Sequence, residues 1–405
     1  MAPVATFVQV YILYHLGGTA LDIGLVSTLS NAVAVPAAIV WGSATERFRK
    51  RKLMIVLSYS ISAATLIVFL FASTISAAAI LYAVITFAST GATTPLNLLI
   101  METEHKQKWP SAFAKLSTVA SLGTTIGLVF GSAWAALLPL LEIVLPLSIF
   151  AFASAVMSAL MIHEPSFVFE RQIMAMNRRS FFQRLLAFPL FFLKIPTRTD
   201  FQRMFRGIRH GVTQQVPLLY ISIFVFYIAS GLFNTSLTPS LYSAKATQAQ
   251  NFLVSLDGIV IQTIALYLAG PYIERRTLRT SAISGLIVRG SCYVLVGVSS
   301  LLLTGVLYLG AVLILWPIAS GIAFAVYYTA SNVMIFNTLG QRNQASTLGV
   351  YSALVGIALT VGSFISGLTS FYIGYYLTFV LAGVCLGVSA GLTSFVRLEH
   401  KSVSH

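Results

Sequence analysis

Apolar runs of membrane-crossing length follow one another along this chain, and nearly all of its charge is confined to the short stretches between them. A hydrocarbon core about 30 Å thick is crossed by about 20 helical residues. Within it each backbone N–H and C=O needs a partner inside the segment, so a single run of this kind crosses as an α-helix. Twelve such runs are present, near 2–16, 20–43, 53–73, 77–100, 113–136, 139–161, 217–241, 250–271, 280–303, 305–330, 345–368 and 372–395. Apolar residues make up 57% of the chain and charged residues 9%, against about 25% charged in soluble domains. No soluble fold could cover its surface from that supply, so the expectation is an all-α membrane protein with twelve transmembrane helices.

The charge that remains is lopsided. The net charge is +14, but the basic residues sit in short loops, as membrane topology requires, and no nucleic-acid partner is implied. Of the 25 Lys and Arg, 23 fall after even-numbered runs or in the tail; Lys245 alone lies on the opposite side, and Arg289 lies inside a run. That bias places both termini in the cytoplasm of a cell whose plasma membrane the protein spans several times. Residues 163–213 carry nine of those arginines and lysines and read as a cytoplasmic linker. Within it, the apolar stretch Phe181 to Leu193 is too short to cross and contains Arg184 and Pro189, so it reads as an interfacial helix. Phe201, Met204, Phe205 and Ile208 recur at helical spacing among Arg203, Arg206 and Arg209, a basic amphipathic stretch suited to anionic lipid. The expected divisions are therefore 1–162, the linker 163–213, 214–396, and a cytoplasmic tail 397–405.

A dense polar cluster, Gly42 to Lys52, separates the second and third runs. Its Gly42, Glu46, Arg47 and Arg51 return 228 residues later as Gly270, Glu274, Arg275 and Arg279, and the pair Leu13-Tyr14 returns at the same offset as Leu241-Tyr242. A shared offset at separated positions indicates two copies of one unit. At that offset Met1 matches Ala229, in the middle of the seventh run, so residues like 216–228 have no counterpart and the first helix is expected to be truncated at its start.

Gly, three residues, an acid and then Arg, in the connection after the second span, resembles the signature loop of the major facilitator superfamily. The resemblance covers the whole chain. That family has Asp where this chain has Glu46, and Gly and Arg where it has Arg49 and Lys50. The resemblance implies two pseudo-symmetric six-helix halves, a monomer, and secondary active or facilitative transport of a small solute, with alternating access and proton coupling as an option. It also implies that Glu46 and Glu274 latch onto neighbouring helix ends as part of a gate, which suits an acid near a helix N-terminus. Spans 1, 2, 4, 5, 7, 8, 10 and 11 line the cavity of such proteins. On that basis Gln9, Asn31, Asn97, Asn234, Gln262, Tyr327, Tyr328, Asn332 and Tyr351 are cavity candidates, each with helix–helix hydrogen bonding as the alternative. A polar but nearly uncharged cavity suits a neutral or amphiphilic substrate.

Two charges stand out deep inside runs, where they are costly and call for a role. Asp257 lies thirteen residues before Gly270, and Arg289 ten after Arg279. They read as a coupling or substrate site, Asp257 as a protonation site or ligand with Arg289 as its ion-pair partner or an anion ligand. Gly123, Gly127 and Gly131 recur every four residues, a close-packing stripe. Antiporters of the family complete such a stripe with Pro, where this chain has Leu128. There is no phosphate-binding GxxxxGK[ST] motif, no metal-ligand spacing and no disulfide framework, Cys292 and Cys385 both lying within runs. No cofactor and no enzymatic activity are expected. An integral membrane enzyme or lipid-handling protein, or a non-transporting sensor or scaffold, are the alternatives; the densest acid–His group, Glu102, Glu104 and His105, reads as a solvated loop.

Overall fold

A computed structural model describes residues 2–48, 50–103, 109–162, 215–274, 276–338 and 344–396. Among them are twelve helices: α1 Ala2–Tyr14, α2 Ala20–Phe48, α3 Arg51–Phe69, α4 Ile75–Thr103, α5 Trp109–Leu137, α6 Val144–Met161, α7 Gln215–Ser243, α8 Gln248–Glu274, α9 Leu278–Leu302, α10 Gly305–Thr338, α11 Gln344–Tyr372 and α12 Tyr375–Phe395. Eleven stretches are long and apolar enough to cross a membrane. The exception is α1, whose 13 residues reach only about 20 Å. The linker 163–213 and the tail lie outside the described residues.

Several helices outlast their apolar runs. The α2 helix continues to Phe48, so most of the polar cluster is the last turns of a helix rather than a loop. Once the chain has left hydrocarbon, charged side chains no longer oppose the helix, and the backbone bonds simply continue. The α10 helix is interrupted by a π-helical stretch, Pro317–Ala323. Pro317 supplies no N–H and its ring crowds the carbonyl one turn back, and a locally wider helix relieves that clash.

The packing repeats itself. In the first half α3 lies on α6 and α4, and α2 on α4; in the second, α9 lies on α12 and α10, and α8 on α10. Across the halves α2 meets α11, and its symmetry mate α8 meets α5. Each half has its own apolar core, one around Phe7, Tyr11 and Phe69, the other around Phe226, Phe233, Tyr293 and Phe379. Large apolar side chains such as Phe71, Leu137, Tyr267 and Val306 are exposed on the outside of the bundle, as a hydrocarbon surrounding allows. The α2–α11 contact is backbone on backbone: a Cβ at Gly24 would fall 2.3 Å from the Gly367 Cα.

Within the glycine stripe of α5, Gly127 faces Pro3 and Gly131 faces Phe252, each too close for a Cβ, whereas Gly123 faces open space. Close packing therefore holds for two of the three.

Candidate functional site

The halves are joined at the ends of the helices farthest from the basic connections. Tyr14 closes α1 and Tyr242 is the next-to-last residue of α7, and their rings meet edge-on, centroids 4.7 Å apart. These are the two residues related by the 228-residue repeat, so the copies touch on their own symmetry axis. The Tyr14 hydroxyl donates to the Ala246 carbonyl and accepts from Asn251 Nδ2 at 3.1 Å. His15 and Gln248 pair at 3.2 Å, and Thr6 donates to Ser255 at 3.3 Å. On the other side of the axis Asn31 Nδ2 donates to Ser363 Oγ at 3.1 Å, which also accepts from Thr235 at 3.0 Å. Among the described residues the seam can be followed inward to Val35 on Gly356. Asn31 thus serves as glue between helices rather than as an open cavity group.

Two of the candidates open onto the space between the halves. In α7, every residue from Ala229 to Leu241 is buried except Asn234. That helix is flanked by α1, α2, α10, α11 and α12, so the exposed amide looks into the interior of the molecule rather than to lipid. In α1, every residue from Thr6 to Leu13 is buried except Gln9, which is half-buried. Gln262 is half-buried on the α8 face that carries Asn251 and Ser255, both bonded to α1. On α10, Phe324, Tyr328 and Asn332 follow at four-residue spacing; Tyr328 is exposed and stacked on Phe324 at 5.2 Å, and Asn332 is half-buried. These further candidates are amides and a phenol, the phenol stacked on an aromatic ring. Tyr327, by contrast, is 3% exposed and packs on Phe226 inside the second half, away from this space. The side chains of Asn97 and Tyr351 lie outside the described residues.

The two intramembrane charges do not meet. Asp257 shares a helix face with Leu253, Ile264 and Leu268, all exposed, and its repeat partner Leu29 is exposed as well. It is half-buried, on the side of α8 away from Asn251 and Ser255, which bond to α1. Arg289 is 3% exposed on α9, and α10 packs between α8 and α9. Its Nε donates to Tyr293 Oη at 2.8 Å, and its guanidinium lies over the rings of Phe226, Phe324 and Tyr293 at 4.9, 5.1 and 5.3 Å. The expected Asp257–Arg289 ion pair is therefore not formed. The spacing along the chain gave similar depth but not direction around each helix.

Of the gate residues, Gly42 is half-buried near the end of α2 and Gly270 stands in open space on α8. Arg51 is buried at the start of α3, whereas Arg279 is exposed on the first turn of α9. The repeat slips there: α2 and α8 start 228 residues apart, α3 and α9 only 227. The structural mate of Arg51 is Leu278, and that of Arg279 is Lys52. The side chains of Glu46, Arg47 and Glu274, and all of Arg275, lie outside the described residues. Missed by sequence reasoning was Trp41, one residue before Gly42. Its ring lies flat against Gly91 of α4 and its Nε1 donates to the Phe87 carbonyl at 2.8 Å, tying the gate end of α2 to α4. An aromatic beside a motif glycine was the available signal.

Comparison with known proteins agrees with this architecture. The family model described as Major Facilitator Superfamily matches residues 1–199 and 219–405. Among solved structures, the chain is similar to a bacterial homolog of the human lysosomal transporter Spinster in an inward-facing, occupied conformation, at 14% identity and TM-score 0.71, covering 98% of this chain and 94% of that one. It is similar to a POT family transporter in complex with 5-aminolevulinic acid, at 10% identity and TM-score 0.71, covering 97% and 92%. It is also similar to the xylose transporter XylE from E. coli in a partially occluded inward open conformation, at 12% identity and TM-score 0.66, covering 96% and 93%. At such identities these likenesses establish the fold. No curated protein matches the sequence.

Proposed function

We propose that this chain, which belongs to the major facilitator superfamily of small-solute membrane transporters, carries a neutral or amphiphilic organic molecule by alternating access, as a secondary active or facilitative carrier. The observation that supports this most is Asn234, an amide open to the interior in the middle of a fully buried helical run. In a bilayer an unpaired amide is retained where it has something to bind. Gln9, Gln262, Tyr328 and Asn332 add acceptors, donors and a ring to grip a polar organic solute without fixed charge.

The conformation described here is sealed at the end away from the basic connections. If the basic side is cytoplasmic, as the Lys and Arg bias supports, the molecule faces inward with both termini in the cytoplasm. Closing that inner side brings the Glu46 and Glu274 ends of α2 and α8 onto their neighbours, the latch that their position in the motif supports. The linker 163–213 rests on anionic lipid, and the protein works as a monomer in the plasma membrane.

Counterflow into proteoliposomes tests the reading. A panel of sugars, nucleosides, amino acids, short peptides, organic acids and amphiphilic drugs is offered on one side. Saturable uptake of an uncharged or amphiphilic member is expected, and Asn234→Ala should raise its KM by about tenfold, the worth of one hydrogen bond of roughly 1.4 kcal/mol. Uptake confined to multiply charged solutes would overturn it.

Proton coupling is a second reading, favoured by Asp257, a carboxyl well inside a span. Asp257→Asn is expected to flatten the pH dependence of uptake. A pH profile identical to the parent would remove Asp257 from the mechanism.

A further inference from the structure

Arg289 carries a full positive charge 97% out of solvent in the interior of the second half. The four helices that pack around it, α7, α9, α10 and α12, contain no Asp or Glu anywhere along their length. Its charge is therefore not balanced by the elements that enclose it, and a buried, unpaired ion is strongly unfavourable. The three aromatic rings offset part of that cost by covering the faces of the guanidinium. They leave its N–H edges to find acceptors in the plane. Nε has one, the Tyr293 hydroxyl; Nη1 is buried with no hydrogen-bond partner.

A second donor waits nearby. Tyr327 packs on the same Phe226 ring that the guanidinium covers, centroids 4.1 Å apart. Its hydroxyl lies within reach of Ser222 and Ser389 yet makes no hydrogen bond of normal geometry. Ser222 Oγ itself joins Ser389 Oγ at 2.9 Å and Thr393 Oγ1 at 2.7 Å. Two buried donors and a hydroxyl cluster therefore lie about Phe226, with no carboxylate among the described residues that contact them.

The fold does not ask for this charge. The exposure pattern of α3 repeats in α9 at an offset of 227, with Ile61 matching Val288 and Val68 matching Leu295, all exposed. At that offset Arg289 matches Ser62, which is fully buried and bonded to its own helix at Ser58. The first half packs the same position with a hydroxyl and no cation.

We propose that Arg289, with Tyr327 and the Ser222–Ser389 hydroxyls, binds a small monovalent inorganic anion of the halide class inside the second half. One cation matches one negative charge. The N–H and O–H donors suit a spherical acceptor, and the rings of Phe226, Phe324 and Tyr293 already cover the guanidinium. It shares the Phe324 ring with Tyr328 of α10, and it ties α7, α9, α10 and α12 together through the ion.

The test is thermal unfolding of the purified full chain, with sodium gluconate replaced stepwise by chloride or bromide at constant ionic strength. The melting temperature is expected to rise and saturate with either halide. Arg289→Met should melt at a temperature independent of halide. Tyr327→Phe, which keeps the charge and removes one donor, should need about tenfold more halide for the same rise, and it decides the matter should the Met variant fail to fold. Parent melting that ignores halide would overturn the proposal and assign water to these donors. So would a halide response of the same midpoint in Tyr327→Phe.

Discussion

Gly24→Ala is the smallest change that should move this protein between its conformations. The added Cβ would lie 2.3 Å from the Gly367 Cα, 2.9 Å from its nitrogen and 3.3 Å from the Ser363 carbonyl oxygen. Nothing there is a flexible side-chain tip, so α2 and α11 must separate by about 1 Å or more to reach ordinary contact distance. Overpacking of this kind costs about 1–3 kcal/mol. The Ala also favours the helix over Gly by about 1 kcal/mol, but that gain is the same in both conformations and drops out of their ratio. What remains penalises only the state in which α2 and α11 touch, and about 1–3 kcal/mol shifts the ratio by about 5- to 150-fold. Thr28 lies on the same α2 face, and its hydroxyl bonds only to its own helix at the Gly24 carbonyl, 2.6 Å away. A Thr28→Cys reporter, in a background with Cys292 and Cys385 replaced by Ser, reads the opening through its rate of reaction with a membrane-impermeant maleimide. Gly24→Ala should raise that rate within the stated range. Gly123→Ala, where a Cβ meets nothing within 4 Å, should leave it alone. Equal rates for Gly24→Ala and its parent would refute the claim that the α2–α11 contact holds this end closed.

Two further substitutions probe what holds each half together. Trp41→Phe removes the donor to the Phe87 carbonyl and should lower thermal stability by about 1–3 kcal/mol, read as a lower melting temperature; Trp134→Phe, whose indole donates to Pro139 in an exposed setting, should change it little. Ser222→Ala deletes the hydroxyl that joins α7 to Ser389 and Thr393 of α12; a cost of about 1–3 kcal/mol is expected, against little for Ser154→Ala, whose half-buried hydroxyl bonds only within its own helix.

Depth was legible in the sequence, and direction was not. Apolar length dictates where a span begins and ends to within a turn or two, so eleven crossings and the short first helix could be read directly. The lone charges could be assigned a height in the bilayer by counting residues. Which way a side chain points depends on helix rotation, and a soluble protein announces that through an apolar stripe. A membrane helix is apolar all round, so the stripe is absent. Asn234 and Asn31 look alike in sequence, yet one faces interior space and the other bonds across the seam to Ser363. Tyr327 and Tyr328 are neighbours, and rotation by one residue sends the first into the core of the second half and leaves the second exposed.

The internal repeat supplies part of the missing direction. Leu25 and Leu29 of α2 are exposed, and so are their mates Leu253 and, in part, Asp257; the first copy alone says that position 257 faces outward. Between α2 and α3, however, one residue is gained or lost, and the offset falls from 228 to 227. Carried across that slip uncorrected, the motif pairs the buried Arg51 with the exposed Arg279, and Arg289 with the exposed Ile61 rather than the buried Ser62. With the slip corrected, both intramembrane charges replace uncharged residues that serve the same position in the other copy: Leu29 on an exposed face and Ser62 in the core. A shared fold with a shared burial pattern sets the demands of packing equal in the two halves. The charges are then what packing does not require, and that is the ground on which Asp257 is proposed for proton coupling and Arg289 for anion binding.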